Sequence, residues 1–333
     1  MDIKIKLTHD SFKTRAVQEL KMPEVPKKPF DEVDTDKAER IGLIYEEMDN
    51  LVGLSQVKHL IYEVQAYVQI QNKRRELDLK AEPTVLHAIF KGNPGTGKTT
   101  MARLLGKLFS ELGILSKGHL IEVERADLVG EYIGHTAKKT KEQIERAKGG
   151  ILFIDEAYSL ARGGAKDFGR EAIDALVKGM EDYRNDFILI LAGYKDEMGW
   201  FLSTNPGLVS RFPLHIDFPD YTLKELLAIA DVMYSQRQYT LTLQGRQTLS
   251  RLLEEALRRY PRYSGNARLV RNLVEVSLRQ QAVRLVSNPD ANWGKNELMA
   301  IAPQDIEVDI SKIIAKAEKK PEDNCIPLFG NLI

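Results

Sequence analysis

The chain is poor in cysteine. Of 333 residues only Cys325 carries a thiol, so no internal disulfide can form and a reducing compartment is expected. Net charge is also missing. Lys+Arg and Asp+Glu each number 48, which argues against a protein held to nucleic acid mainly by bulk charge, although a local basic face stays open. Long apolar runs are absent: the most apolar, Phe187 to Ala192, is far too short to cross a bilayer, so no membrane span is expected. Charges interrupt the opening Met1-Asp2-Ile3-Lys4-Ile5-Lys6, which does not read as a signal peptide, and a cytoplasmic location is expected. No internal repeat and no low-complexity tract stands out. With 43% hydrophobic residues, the chain is long enough for two domains with a core in each.

What is present is organised around one stretch, Gly92-Asn93-Pro94-Gly95-Thr96-Gly97-Lys98-Thr99, followed by Thr100. It has the G-x-x-x-x-G-K-[ST] spacing of a phosphate-gripping loop. Upstream, Val85-Leu86-His87-Ala88-Ile89-Phe90 is short and mostly apolar and reads as a buried strand. Downstream, Met101, Leu104, Leu105, Leu108 and Leu112 recur at helical spacing. Strand, glycine-rich turn and helix form the setting this motif needs. Gly95 and Gly97 let the backbone take conformations that side chains forbid, so successive N–H groups can turn towards one anion. The helix opening at Lys98 adds the positive end of its dipole. Lys98 is expected to reach the outer phosphates, and the Thr99 hydroxyl to bind Mg²⁺.

Around that loop the pattern is α/β. Helical periodicity begins at Thr35, and a second helix is expected over 55–77. Residues 120–123 read as a strand, 125–136 as a polar, glycine-punctuated loop outside the core, and 137–148 as a helix. Ile151-Leu152-Phe153-Ile154 is apolar on both faces and ends in Asp155-Glu156, as a central parallel strand delivers carboxylates to a site at its C-terminal edge. Residues 187–191 and the shorter 214–216 read as further strands. Strands alternating with helices predict a parallel sheet with right-handed crossovers.

At Phe218-Pro219-Asp220-Tyr221 the character changes. Helices are expected near 222–236, 245–259 and 265–286, with no strand until 298–301. The expected organisation is a flexible arm over 1–36, rich in proline and lysine, then a large α/β P-loop nucleotide-binding domain over 37–218, its parallel sheet sandwiched by helices. A smaller helical lid domain follows over 219–311, and a charged tail over 312–333.

Asp155 is placed to hold Mg²⁺, through water, as the second acidic partner of the loop. Glu156 is placed to orient or deprotonate a water for attack on the γ-phosphate. Adjacent acids ending an apolar strand are costly to place without a cation. Glu156 favours a hydrolase over a kinase, and a hinge between sheet domain and lid would convert nucleotide state into motion.

The phosphate loop, Phe153-Ile154-Asp155-Glu156, Asn205-Pro206-Gly207-Leu208-Val209-Ser210-Arg211-Phe212 and Gly265-Asn266-Ala267-Arg268 together resemble an AAA+ ATPase, and more narrowly the CbbX family. The resemblance implies that Arg211 is an arginine finger reaching the γ-phosphate of a neighbouring subunit, where a guanidinium steadies growing charge. It implies that Arg268 is the lid arginine called sensor 2, with Arg262 and Arg271 nearby, and that Val52 and Gly53 form the adenine-contacting turn. Tyr132-Ile133-Gly134 resembles the aromatic-hydrophobic-glycine pore loop of threading rings, which grips an extended chain through stacking and apolar contact. One departure stands out. Many AAA+ proteins end the strand before the finger in a polar Asn or Thr, whereas Leu191-Ala192-Gly193-Tyr194 offers only Gly193 or Tyr194.

The implied protein is a homo-oligomer, a hexamer, that hydrolyses Mg-ATP and remodels an unidentified protein client. Likeness within 116–120, 126–137 and 149–164 to a sporulation member of the family implies a part in spore maturation. A Rubisco-activase-like chaperone of the CbbX type is the alternative. A DNA-remodelling motor is a third reading, weakened by the neutral total charge; nucleic acid is not the expected partner.

Overall fold

The computed structural model describes residues 35–311 apart from 82–84, 133, 163–166, 185, 260–264 and 288–292. Residues 1–34 of the expected arm, the tail 312–333 and Ile133 of the expected pore loop lie outside the described residues.

Two helices open the chain, α1 (Thr35–Asp49) and α2 (Ser55–Glu76), followed by strand β1 (Ala88–Gly92) and helix α3 (Lys98–Glu111). Next come β2 (Leu120–Val123), α4 (Arg125–Leu128), α5 (His135–Ala147) and β3 (Ile151–Ile154). A 3₁₀ turn over Ala157–Ala161 leads to α6 (Gly169–Asp182), β4 (Ile188–Gly193), α7 (Lys195–Thr204), α8 (Pro206–Val209) and β5 (Leu214–Phe218). The second part holds α9 (Leu223–Ser235), β6 (Thr240–Leu241), α10 (Leu243–Arg259), α11 (Asn266–Val286), α12 (Lys295–Met299), β7 (Ala300–Ile301) and α13 (Pro303–Ile306).

The five strands of the first part form one parallel sheet in the order β2-β3-β4-β1-β5. Its side chains alternate between two cores, as a sheet covered on both faces requires. Phe90, Phe153, Ile188 and Ile190 face α1, α2, α3 and the second part, whereas Ile89, Leu152, Leu189 and Leu191 face α5, α6 and α7. Phe90 is fully buried with Phe218 4.9 Å away and Phe153 6.4 Å away, ring centre to ring centre. Because the strands are parallel, their C-terminal ends share one edge, and the phosphate loop, Asp155 and the chain leaving β5 all emerge there.

The structure corrects several expectations. Residues 125–136 were expected to lie outside the core, yet Arg125–Leu128 forms a turn of helix and Leu128 is fully buried. The apolar pair Leu128-Val129, between Asp127 and Gly130, is too short to leave a periodic signal. A two-residue strand, β6, precedes the one expected near 298–301 and pairs in parallel with β7, Thr240 opposite Ala300 and Leu241 opposite Ile301. Strand β1 begins at Ala88 rather than Val85 and continues to Gly92, since β5 pairs with it as far as Gly92 opposite Phe218.

The late start of β1 has a chemical reason. His87 is 3% exposed, and its Nδ1 accepts the backbone N–H of Leu189 at 3.0 Å. Its ring lies against Phe187 and Phe212 at 5.9 and 6.0 Å. Burial first, then the nearby Arg184 charge, pulls the imidazole down from 6.5 to about 4. The folded protein therefore keeps His87 neutral where the unfolded chain would protonate it. This contribution is complete above pH 6.5 and is lost as pH falls towards 4, a swing of roughly 3 kcal/mol. Denaturant unfolding between pH 7 and 4.5 should show a steeper stability loss for the natural protein than for His87→Gln; equal slopes would contradict the assignment.

Candidate active site at the phosphate loop

Strand β1 runs directly into the glycine-rich turn, and α3 starts at Lys98. Gly95 and Gly97 have φ of +76° and +95°, backbone that L side chains rarely adopt. At Gly95 space is also lacking: a Cβ there would lie 2.4 Å from the Gly265 carbonyl oxygen and 2.9 Å from the Arg268 nitrogen. The loop is thus seated against the beginning of α11, and the Ala267 N–H donates to the Gly95 carbonyl at 3.2 Å.

Lys98 is 9% exposed and donates from Nζ to the carbonyls of Gly92 at 2.8 Å and Asn93 at 2.9 Å. Burial lowers its proton affinity; Asp155 opposes this most strongly, Arg268 adds to it, and Asp220 and Glu156 oppose it further. The structure therefore brings Lys98, Asp155, Glu156 and Arg268 into one electrostatic neighbourhood, drawn from the start of α3, the chain leaving β3 and the second part of the chain. Thr99 is half-buried and Thr100 exposed, both in the first turn of α3, while the Thr96 hydroxyl donates to the Asn93 carbonyl at 2.8 Å. Asp155 closes β3, its backbone N–H donating to the Val123 carbonyl at 3.1 Å and its Oδ1 accepting the Glu156 N–H at 2.9 Å. Glu156 adopts φ +48° and ψ +43°, a left-handed conformation that costs a non-glycine residue about 1–3 kcal/mol and is held by its surroundings.

Val52 and Gly53 lie in the turn between α1 and α2, beside the loop. Next to them a Leu54 methyl is 3.4 Å from where a Gly97 Cβ would stand, and a Cβ on Gly53 would meet Glu225 Oε1 at 2.4 Å. At the end of β4, Tyr194 stacks on the buried Tyr158 at 5.7 Å, and the Arg162 guanidinium covers the Tyr158 ring at 4.6 Å. The same Tyr158 ring stands 2.7 Å from where a Gly193 Cβ would be, so Gly193 contributes room and Tyr194 the only side chain.

Two expected residue sets lie apart from this cluster. Arg211 is bonded to its own subunit, to the Gly207 carbonyl at 2.7 Å and in an ion pair with Glu181 at the end of α6. Tyr132 is 66% exposed and meets the His135 ring edge-on at 5.4 Å; Gly134, with φ +82°, caps α5. An open cleft of about 340 Å³ occupies the opposite edge of the sheet, where Lys117, Lys148 and Asp186 meet.

Sequence reasoning missed Asp220, Tyr221 and Glu225. The Tyr221 hydroxyl donates to the Thr96 carbonyl at 3.3 Å, and Glu225 forms a capping box with Thr222 at the start of α9. The Thr222-x-x-Glu225 spacing is the signal that marks this junction in the sequence.

A parallel sheet with a phosphate loop after β1, an Asp-Glu pair after β3 and a helical lid defines an AAA+ ATPase. Residues 88–220 match the family model "ATPase family associated with various cellular activities (AAA)", and residues 222–316 match the AAA lid domain. The crystal structure of the FIGL-1 AAA domain in complex with ADP superimposes with a TM-score of 0.53 at 17% identity, covering 87% of this chain and 96% of that one. Stage V sporulation protein K of Bacillus subtilis is 55% identical over 266 residues, 80% of this chain and 82% of the relative. CbbX of Cereibacter sphaeroides is 44% identical over 265 residues, 79% and 85%. The chloroplastic ribulose bisphosphate carboxylase/oxygenase activase of Cyanidioschyzon merolae is 42% identical over 272 residues, 81% and 94%. The chain belongs to the CbbX family of AAA+ ATPases. No helix among the described residues is long and apolar enough to cross a membrane.

Substituting Gly95→Ala tests the seating of the loop on the lid. The strained backbone and the clash with Gly265 should cost about 1–3 kcal/mol in a thermal melt. A titration with a fluorescent ADP analogue should show about five- to 150-fold weaker binding where that same 1–3 kcal/mol falls on the nucleotide-bound loop.

Proposed function

We propose that the protein is a hexameric Mg-ATP hydrolase that uses nucleotide turnover to remodel or partly thread a protein client, with a role in spore maturation. The residues suit the nucleotide and its cation. Gly95 and Gly97 open a cradle of backbone N–H groups, Lys98 has an ammonium that can exchange two loop carbonyls for phosphate oxygens, and Val52 and Gly53 flank the loop where a base would lie. The Thr99 hydroxyl and the Asp155 carboxylate would hold the Mg²⁺, which neutralises charge across the β- and γ-phosphates.

Glu156 draws a proton from the attacking water as its oxygen bonds to the γ-phosphorus and the bond to the ADP oxygen breaks. The strained backbone at Glu156 and the stack of Tyr158 on Tyr194 just beyond it keep that carboxylate in place without relying on a flexible loop. Arg268 steadies the phosphates from the lid. The observation that carries the subunit-bridging reading is the location of Arg211. It is bonded to Gly207 and Glu181 on the sheet domain's own surface, where it can be lent to a neighbour's triphosphate. Tyr132, exposed and in edge-on contact with His135, suits a grip on an extended chain.

The sporulation role is supported by the 55% identity to stage V sporulation protein K. A second reading, activation of an inhibited carboxylase, is supported by the 42% identity to an activase of that enzyme. Trapping Glu156→Gln with ATP in sporulating cells and identifying what co-purifies distinguishes them: capture of a carboxylase would favour the second.

Glu156→Gln should retain ATP binding and lose turnover by about 10²–10⁴-fold. Arg211→Ala should lower kcat by about 10³-fold, and mixing it with Lys98→Ala protein should restore part of the activity, since each supplies what the other lacks across a subunit boundary. No restoration in co-assembled mixtures, checked by sedimentation with ATP, would count against the shared site.

A further inference from the structure

The junction between sheet domain and lid contains a carboxylate that none of the roles above uses. Asp220 follows β5 and Pro219, two residues before Thr222 caps α9. Both of its oxygens accept from the Asn93 side-chain amide, at 3.0 and 2.9 Å, and Oδ1 also accepts from the Asn266 amide at 2.8 Å. Asn93 belongs to the phosphate loop and Asn266 opens α11 in the lid. Hydrogen bonds to a charged acceptor are stronger than neutral ones, so this carboxylate ties loop to lid across the hinge.

Every group in the tie is oriented by something else. Asn266 is 1% exposed in a left-handed conformation, φ +50°; its Oδ1 accepts the Tyr221 N–H at 2.9 Å, which obliges its amide nitrogen to face Asp220 and the Pro94 carbonyl at 3.3 Å. The Asn93 carbonyl accepts Lys98 Nζ at 2.9 Å while its side chain reaches Asp220. One loop residue therefore joins the ammonium that meets phosphate to the carboxylate that holds the lid. Asp220 is also among the anions acting on Lys98.

We propose that Asp220 is a positioning residue whose bridge between Asn93 and Asn266 is opposed by a triphosphate on the loop, so that nucleotide charge sets how firmly the lid is held. A carboxylate beside polyphosphate is a like-charge juxtaposition, unfavourable whenever both are in place. Lys98 turning to phosphate also leaves the Asn93 carbonyl and loosens the residue that Asp220 grips. ATP, with one phosphoryl group more than ADP, opposes the bridge more strongly, and loss of that group lets it re-form.

The inference rests on Gly92–Thr99 binding a nucleoside triphosphate, and the test separates the two. The full chain and its Asp220→Asn and Asp220→Ala variants are compared by titration with fluorescent ATP and ADP analogues and by steady-state hydrolysis. Hydrogen exchange of residues 265–269 is then followed with and without nucleotide. Asp220→Asn keeps an acceptor but removes the charge, so its Kd for ATP should fall about three- to tenfold, and its Kd for ADP by less. Its kcat should fall about fivefold or more, because the lid is no longer released by charge. In Asp220→Ala the amides of 265–269 should exchange faster without nucleotide and respond little to its addition. Unchanged affinities in Asp220→Asn, or unchanged exchange in Asp220→Ala, would overturn the proposal. A matched loss of affinity for both nucleotides with a lowered Tm would reduce Asp220 to a structural prop and overturn it equally. Failure of the natural protein to bind either nucleotide would remove the loop reading itself.

Discussion

The structure depends on a buried ammonium. Lys98 sits almost out of water at the start of α3, and removing such an ion from solvent costs several kcal/mol. Two neutral carbonyls and the carboxylates of Asp155, Asp220 and Glu156 offset part of that cost, though burial still prevails and lowers the proton affinity of Lys98. This requirement explains why three separate stretches converge on one edge of the sheet. The sheet order puts β4 between β1 and β3, so the two acids stand one strand removed from the loop rather than in contact with it. The gap between them is the space that the proposed triphosphate and its cation would occupy.

Around that gap the positions are set more by packing than by hydrogen bonds. Glu156 occupies a costly backbone conformation, and directly after it the 3₁₀ turn drives Tyr158 into the core on the side of α5, α6 and α7. Tyr158 in turn supports Tyr194, just beyond the end of β4. Aromatic contacts of this kind contribute about 0.5–1.5 kcal/mol beyond the area they bury. The ends of β3 and β4 are thereby joined by a stack, and Gly193 is small because the Tyr158 ring fills the space its side chain would need.

Much of this was legible in the sequence. The phosphate loop declared itself through fixed spacing, Ile151–Ile154 through unbroken apolarity before two acids, and the lid through helical periodicity. Less was legible where a residue's importance comes from distant partners. Helix α6 has its apolar residues spaced for burial, yet no motif drew notice to it. Strands β6 and β7 are two residues each, too short for any period to register, and exist because residues 60 positions apart pair across the lid. His87 looked like one more strand residue, although its ring substitutes for a backbone acceptor. Asp220 was read as a break in pattern; its partners, Asn93 and Asn266, are separated from it by 127 and 46 positions. Local periodicity carries no trace of such meetings.

The short β6–β7 pairing has a mechanical consequence. Gln281 donates to the Leu298 and Ala300 carbonyls at 2.9 and 3.1 Å, and Arg284 grips the buried Asp305 at 2.7 and 2.8 Å. The far end of α11 is tied by these bonds to the segment that returns from α12, which opposes shear between them. Its 21-residue helix acts as a stiff arm of roughly 31 Å pivoted beside Gly95, given 1.5 Å of rise per residue. A rotation of only about 10° at the pivot sweeps the tip through roughly 5 Å, as simple leverage on that helix length dictates. Under the proposed function, ångström-scale shifts among phosphate oxygens would in this way be geared up to displacements the size of a side chain.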